Sequence, residues 1–525
     1  MTVDIVVAGA GHNSLVTSCY LAKAGYSVLL LDARSIPGGG AATEEILDPG
    51  FLIDTCSTGH TLIRANPLLA NDELGLISKY GLTYREPDPV AHVGFPDGEQ
   101  LTMYLDIERT IEEIARFNND DAIAYRRMKA EHDKVKAYFS EAQFTPIGYG
   151  KSLDQKLAEH PDGLIWSRRR ALSALDIIRH EFTDRHVQAF MIWMAYQTLV
   201  PFDMPGTGML AYSIFARQVR SWSIPVGGSG ELTKGLVGFL ESHGGQILCD
   251  KVVSRLILED GRCVGVETTD GESYRAEKAV LSTIHVKHLI DMAPEDAWPD
   301  EFKYGIATYN VGVPGFAAYF TASAPPVFET PRGPVTAVSA GLVGWPEDLI
   351  QLSADIRMDR FIDTVPWLLV ATPTLVDPGR APAGHHTVKL LSPQSYSVPK
   401  DGPQDWNIVK EQHARRQLEA VRRFAPSFTD DVILSHLVKS PTDIEASNRH
   451  MIHGAFHGGD RGPSFSGAQR PAPGWASHRM PIPGLYQTGG TTHPGGSITG
   501  APGRNAAIVM LQDLGHDIDE VVAAP

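Results

Sequence analysis

The chain opens on a largely apolar run, Val3-Asp4-Ile5-Val6-Val7-Ala8, that ends in Gly9-Ala10-Gly11-His12-Asn13-Ser14. Leu15, Val16, Cys19, Tyr20 and Ala24 then recur at near-helical spacing over 13–24, Gly25 stops the helix, and a second apolar run fills 27–31. Strand, glycine turn, helix and strand within about thirty residues form a βαβ unit, which predicts an α/β architecture around a parallel sheet. The turn follows the G-x-G-x-x-G/A pattern with Ser14 in the last place. In that pattern the first glycine permits the tight turn, the second lets backbone approach a pyrophosphate, and the last position keeps the helix close to the strand. Asp32 ends the second strand about twenty residues after Gly11, placed to accept hydrogen bonds from a ribose diol and to repel a 2′-phosphate. The pyrophosphate would lie over the start of helix 13–24, where free N–H groups favour an anion. A βαβ unit without a ligand is the alternative.

Beyond this unit, Pro96-Asp97-Gly98 reads as a turn between extended segments. From about 107 to 217 the periodicity is helical, with Leu172, Leu175 and Ile178 on one face of a helix over 171–182. Pro225-Val226-Gly227-Gly228-Ser229-Gly230 opens a helix over about 231–243. Strands are then expected at 246–258, 263–269 and 278–283, the first two joined by an Asp260-Gly261 hairpin turn. Extended runs at 316–320, 366–371 and 386–391, a helix over 404–423, and a strand (484–488), glycine-rich loop and helix (501–514) complete the pattern. Similar sheet-forming stretches therefore recur in separate parts of the chain, and the expected domains are interleaved: one from 1–75, 222–300 and 475–525, the other from 76–221 and 301–474. Gly228-Ser229-Gly230, with Asp250 downstream, is a near copy of the first glycine motif. Trp222-Ser223-Ile224-Pro225 is nevertheless a poor buried strand, because proline lacks a ladder donor. One dinucleotide per chain is the expectation.

Charge narrows the partners. The 525 residues carry 46 Lys+Arg against 62 Asp+Glu, a net charge of −16, which argues against nucleic acid. Cys19, Cys56, Cys249 and Cys263 lack CxxC spacing and read as reduced thiols. No apolar run reaches about 18 residues, and the N-terminus enters a strand directly. The reading is a soluble, cytoplasmic protein, with membrane association possible but not favoured; Arg168-Arg169-Arg170 is a solvated helix end. Neither a G-x-S-x-G elbow nor a P-loop is present, so hydrolase and kinase readings lack their residues.

The segment after the first βαβ unit is more specific. Asp32-Ala33-Arg34-Ser35-Ile36-Pro37-Gly38-Gly39-Gly40-Ala41-Ala42-Thr43 resembles the Glu-x-Arg…Gly-Gly-Arg…Ser/Thr segment of flavoproteins in the amine oxidase and phytoene desaturase superfamily, with Gly40 where many members carry Arg. Pro225–Leu232, Gly244–Ile247 and Val253–Leu256 resemble that family's second FAD block. The segment Gly484–Asn505 is similar to the C-terminal flavin motif of the phytoene-desaturase-like branch that includes the pyridine nucleotide-disulfide oxidoreductase domain-containing proteins. The resemblance implies a Rossmann-type FAD-binding domain interleaved with an α+β substrate domain, FAD as cofactor, and desaturase or dehydrogenase activity. It places FAD against Gly9, Gly11, Asn13, Ser14, Asp32, Ala33, Arg34, Gly38, Gly39, Gly40, Ala41, Thr43, Val253, Gly489, Gly490, Gly496, Ser497, Ile498, Thr499 and Ala501. The start of helix 501–514 would face the flavin N1–C2=O edge and stabilise the charge of the reduced ring.

Hydride removal by a flavin usually needs a base for the accompanying proton. His493, in the flavin loop, is the first candidate, with a loop-stabilising role as the alternative. His453 is a second, on a candidate pocket-lining segment, 448–460, that also holds His450 and His457; His60 is a third by resemblance. The glycines around the three clustered histidines, with no carboxylate to complete a set, argue against a metal. The aromatic run 190–196 reads as core packing. The expected reaction takes a hydride and a proton from a small organic substrate to form C=C or C=N. With no second nucleotide domain, oxygen, a quinone or another carrier would reoxidise FAD. A membrane-associated carotenoid desaturase or isomerase, an amine oxidase and a non-catalytic flavoprotein scaffold are the alternatives, and homo-oligomers are compatible with the sequence.

Overall fold

The computed structural model describes residues 2–401 and 403–524. Strand β1 (Thr2–Ala8) and strand β2 (Val28–Leu31) flank helix α1 (His12–Lys23) and pair in parallel, Ile5 opposite Val28 and Ala8 opposite Leu31. Ile5, Val7, Val28 and Leu30 pack on the α1 side, while Val6, Ala8, Leu29 and Leu31 enter a separate core on the other face. Both faces are covered, which is why these strands read as continuous apolar runs.

The first sheet has the order Val253–Glu259, Arg262–Thr268, Ser273–Ser282, β1, β2, Gln246–Leu248, with Leu485–Gln487 added beside Ser273–Ser282. Every pair is parallel except those made by the hairpin strand Arg262–Thr268. The single strand expected at 246–258 is therefore two strands on opposite edges of the sheet. The break falls where Asp250 takes a left-handed conformation, φ 57°, and the crossing backbone is tied down by Asp250 N–H to Arg34 O (3.1 Å) and Lys251 N–H to Asp32 O (2.8 Å).

The second sheet runs Ile433–Lys439, Gly315–Ala322, His386–Pro393, Trp367–Ala371, Ser339–Val343, Ala91–Gly94, Gln100–Met103. Alternation along its strands again serves two cores: Leu368 and Val370 face the Trp406–Arg422 helix, and Trp367, Leu369 and Ala371 face the helices between 107 and 220. The aromatic run belongs to that second core; Trp193 is fully buried and donates its indole N–H to Leu368 O at 3.0 Å. The helix expected over 171–182 is interrupted, because Ser173 caps a new helix, Ala174–Glu181, through a reciprocal bond set with Asp176. Ile224–Pro225 pairs only with Tyr84–Arg85. Among the described residues no helix is long and apolar enough to cross a membrane.

Buried ion pairs lock the pieces. Arg504, on the helix Ala501–Asp513, grips Glu73 with two bonds of 2.8 Å, and the Tyr20 hydroxyl of α1 donates to the same carboxylate. Between the sheets, Asp54 accepts from Thr43 Oγ1 (2.7 Å) and the Ser229 N–H (2.8 Å) and pairs with Arg380 at 2.8 Å, with both charged side chains buried. A charged group left buried without its partner costs far more than the net worth of the pair. Arg504→Leu should therefore destabilise the fold by about 3–5 kcal/mol, read from chemical denaturation; an unchanged midpoint would contradict it.

Acid should act in the same direction. Burial holds His12, His92, His413, His450, His457, His478 and His493 down at about 4. An unfolded histidine takes its proton near about 6.5, so between these values the unfolded chain binds protons that the native chain does not. Stability is then full above about 6.5 and declines as pH falls toward about 4. Denaturation midpoints that hold constant across that window would contradict the neutral, buried state of these rings.

Candidate functional site

Strands β1, Ser273–Ser282 and Leu485–Gln487 lie side by side, and the chain leaves all of them at the same edge. Gly9 (φ 100°) and Gly489 (φ 95°) turn there around one side chain: a Cβ on either would sit 2.4 Å and 2.5 Å from Thr283. These two positions exclude other residues on grounds of packing and backbone conformation. Gly11 differs: its φ is −70°, and a Cβ there would meet nothing within 4 Å. That bare face looks into a cavity of about 810 Å³.

The cavity begins at the carboxyl ends of the first sheet's strands, the edge where α/β sheets place ligands. Gly9, Gly11, Asn13, Asp32, Ala33, Arg34, Gly39, Gly40, Val253, Gly489, Gly490, Gly496, Ser497 and Ile498 all line it. Gly11 caps α1 without a side-chain partner for the first-turn N–H groups. Asp32 is buried and accepts from the N–H groups of Ala10 (2.7 Å) and Arg34 (2.8 Å), which leaves further lone pairs for hydroxyl donors. Burial raises its pKa above the ordinary carboxylate value, against the pull of those two N–H groups. The amide oxygen of Asn13 is buried without a partner. A bare glycine face, an uncapped helix start, a carboxylate at the next strand end and an orphaned amide oxygen together fit a dinucleotide.

Other expected contacts lie behind the wall. Ser14 Oγ is 2.6 Å from Gly9 O and 2.9 Å from Gly11 O, buttressing the turn from inside. A separate close approach, between α1 and the helix Ala501–Asp513, depends on Gly503, whose Cβ would fall 2.3 Å from Asn13 O. Gly38, Ala41 and Thr43 support the loop instead of facing the cavity. Gly38 N–H bonds Ala10 O, Ala41 O accepts from Thr233, and Thr43 binds Asp54 and the Gly230 N–H. Gly228 and Gly230 pack on Thr43, so protein fills the second glycine motif. Thr499 and Ala501 also lie off the cavity, which the preceding Gly496–Ile498 segment lines.

The three expected bases are elsewhere. His493 is buried against the helical region with Nε2 2.9 Å from Ala142 O. His60 is fully enclosed, with Nε2 2.7 Å from Ser229 Oγ and its pKa pushed down to about 3 by burial. His453 stacks beside Tyr396, ring centroids 4.5 Å apart. The imidazoles that do line the cavity are His12, His285, His288, His450 and His457. His450 Nδ1 lies 3.1 Å from Thr283 O, which makes it the donor and leaves Nε2 as the acceptor. Among the described residues no cluster of three or more His, Cys, Asp or Glu side chains could hold a metal ion.

Two further groups have no motif. Arg470, fully buried, spends its guanidinium on the carbonyls of Gly490, Asp460 and Phe465, clamping the glycine loop to the 458–465 segment. Lys389, from the second sheet, is buried and donates to Cys56 O, Asp54 O and Thr58 Oγ1. Burial lowers its pKa from the ordinary lysine value. Cys56 itself lines the cavity, and all four cysteines are free thiols.

Comparison with known proteins agrees with this geometry. Residues 15–507 match the family described as flavin containing amine oxidoreductase. A limonene dehydrogenase subunit of Castellaniella defragrans is 26% identical, covering 99% of this chain and 97% of its own. Pyridine nucleotide-disulfide oxidoreductase domain-containing protein 2 of Mus musculus is also 26% identical, covering 97% and 94%. Among solved structures, cyclohexylamine oxidase from Brevibacterium oxydans superposes with a TM-score of 0.58 at 14% identity, covering 98% of this chain and 99% of its own, a likeness of fold. With the family pattern spanning nearly the whole chain and a cavity that fits its cofactor, this protein belongs to the flavin containing amine oxidoreductases and is an FAD-dependent oxidoreductase.

Proposed function

We propose that the chain is a dehydrogenase or desaturase that takes a hydride and a proton from a small organic substrate, leaving C=C or C=N, with oxygen, a quinone or another carrier as final acceptor. One observation carries this reading: a single cavity joins the glycine-lined strand ends of the first sheet to apolar side chains of the second, Ala317, Tyr319, Leu369 and Leu391. When bound, FAD supplies the hydride acceptor. In this reading the pieces 1–75, 222–300 and 475–525 form the FAD-binding unit, and 76–221 with 301–474 form the substrate unit.

Asp32 would hold the ribose hydroxyls, and the first turn of α1 together with Gly11 would receive the pyrophosphate. Asn13 Oδ1 would gain the donor it lacks. Arg470 keeps the 489–496 loop at the cavity wall. The apolar wall excludes water, so a proton leaving the substrate needs a protein acceptor. His450 Nε2 is that acceptor: the ring's other nitrogen is committed to Thr283, and with a pKa of about 4 it is neutral at physiological pH.

Loading of the purified protein tests the site. Wild-type protein should take up FAD, and Asp32→Ala should weaken it by about 10–100-fold, the worth of hydrogen bonds to a charged group. Gly11→Leu should fold normally, since its backbone is unstrained and its side chain enters open space, yet should block FAD. Flavin absorbance after gel filtration reads both, and undiminished loading in either variant would overturn the assignment. His450→Gln should retain FAD but slow anaerobic flavin bleaching by about 10²-fold or more in a panel of cyclic ketones, amines, acids and polyenes; unchanged bleaching rates would remove His450 from the reaction.

A further inference from the structure

The charged groups around the cavity are almost all accounted for. Arg34 pairs with Glu44 at 2.9 Å, Lys251 with Asp270 and Glu272 at 2.7 and 2.8 Å, and Lys389 spends its ammonium on the 54–58 loop. Arg449 is exposed. Arg217 is the exception. It projects from the helix Leu210–Arg220, lines the cavity, and has no ion pair or hydrogen bond to its guanidinium among the described residues. The contact it makes is with the Trp222 ring, 5.8 Å from the centroid. Burial lowers its pKa to about 10, and no neighbouring charge contributes, so the side chain is still a cation at neutral pH.

A half-buried guanidinium without a counter-charge is open to an anion, and its planar fork of donors matches a carboxylate. The same cavity holds further unmet groups. Gln197 and Thr198 line the cavity, and the Gln197 amide oxygen and Thr198 hydroxyl are both buried without a partner. The lining also includes apolar and aromatic side chains, among them Leu199, Trp222, Tyr319, Leu369 and Phe456. A cationic amine beside Arg217 would meet a like charge; a neutral hydrocarbon would leave the guanidinium and the Thr198 hydroxyl unsatisfied.

We propose that Arg217 receives the carboxylate of an anionic substrate with an apolar body, and that the Thr198 hydroxyl donates to the same polar end of that subsite. This subsite rests on the flavoenzyme function proposed for the chain and names the substrate class for the same cavity. Arg217 then selects the substrate by charge and turns the apolar portion toward Trp222 and Tyr319.

Benzoate, benzamide and benzylamine share one ring and differ in the charge of the head group. Titrated calorimetrically into the FAD-loaded protein, with the flavin visible spectrum as a second readout, benzoate should bind at least about tenfold more tightly than benzamide and benzylamine. Arg217→Met should lower benzoate affinity by about 10–100-fold and leave benzamide unchanged, while Arg217→Lys, which keeps the charge and loses the fork, should fall between. Equal binding of benzoate and benzamide to the wild type overturns the proposal, whatever the variants do. So does undiminished benzoate preference in Arg217→Met. A protein that takes up no FAD overturns the flavoenzyme reading together with this subsite; normal FAD loading without benzoate preference overturns the subsite alone.

Discussion

Three parallel strands end side by side at Ala8, Ser282 and Gln487, and two of the turns leaving them must close around the side chain of Thr283. Only backbone fits there. Gly9 and Gly489 supply it from opposite ends of the chain, and the space their missing side chains spare is taken by Thr283. Gly11, two residues on, has no such neighbour, and its open face is the part of the loop that a ligand can reach. Within a single glycine motif, one residue answers to the packing of the protein and the next opens onto the cavity.

The second sheet has to be held against this edge for the cavity to have a far wall. Polar groups do that work. Asp54 gathers Thr43, the Ser229 N–H and Arg380 into one buried node, Asp377 accepts the Gly227 N–H at 2.7 Å, and Lys389 ties its strand to the 54–58 loop. Such groups are stable together and unstable apart. Arg470 does for the C-terminal loop what Asp54 does for the sheets. In each case a charged side chain satisfies backbone that the glycines leave irregular. Arg217, a half-buried cation outside this scheme, is for that reason informative about what enters the cavity.

Much of the architecture is legible in local pattern. The opening strand, helix and strand fall at Thr2–Ala8, His12–Lys23 and Val28–Leu31, within a residue or two of where periodicity places them, and the helix near 404–423 is Trp406–Arg422. Errors occur where a local signal is ambiguous. The run 246–258 is apolar enough for one strand, but a left-handed Asp250 sends its halves to opposite sheet edges. Of three histidines on one short segment, His450 and His457 line the cavity and His453 turns away beside Tyr396. Glycines on that segment remove the periodicity that would have ranked them.

By itself the sequence determined the parallel sheet, the glycine turn with its acidic partner, and the flavoprotein resemblance, because each depends on residues near one another in the chain and on backbone rules that hold in any context. Tertiary structure alone decided which glycines and which histidines reach the cavity, and that Arg217 stands there unpaired. Those properties are set by neighbours hundreds of residues away: Thr283 beside Gly9, Ala142 beside His493, and the second sheet opposite the first. Burial and pairing belong to the assembled interior, and no segment carries them before it is packed.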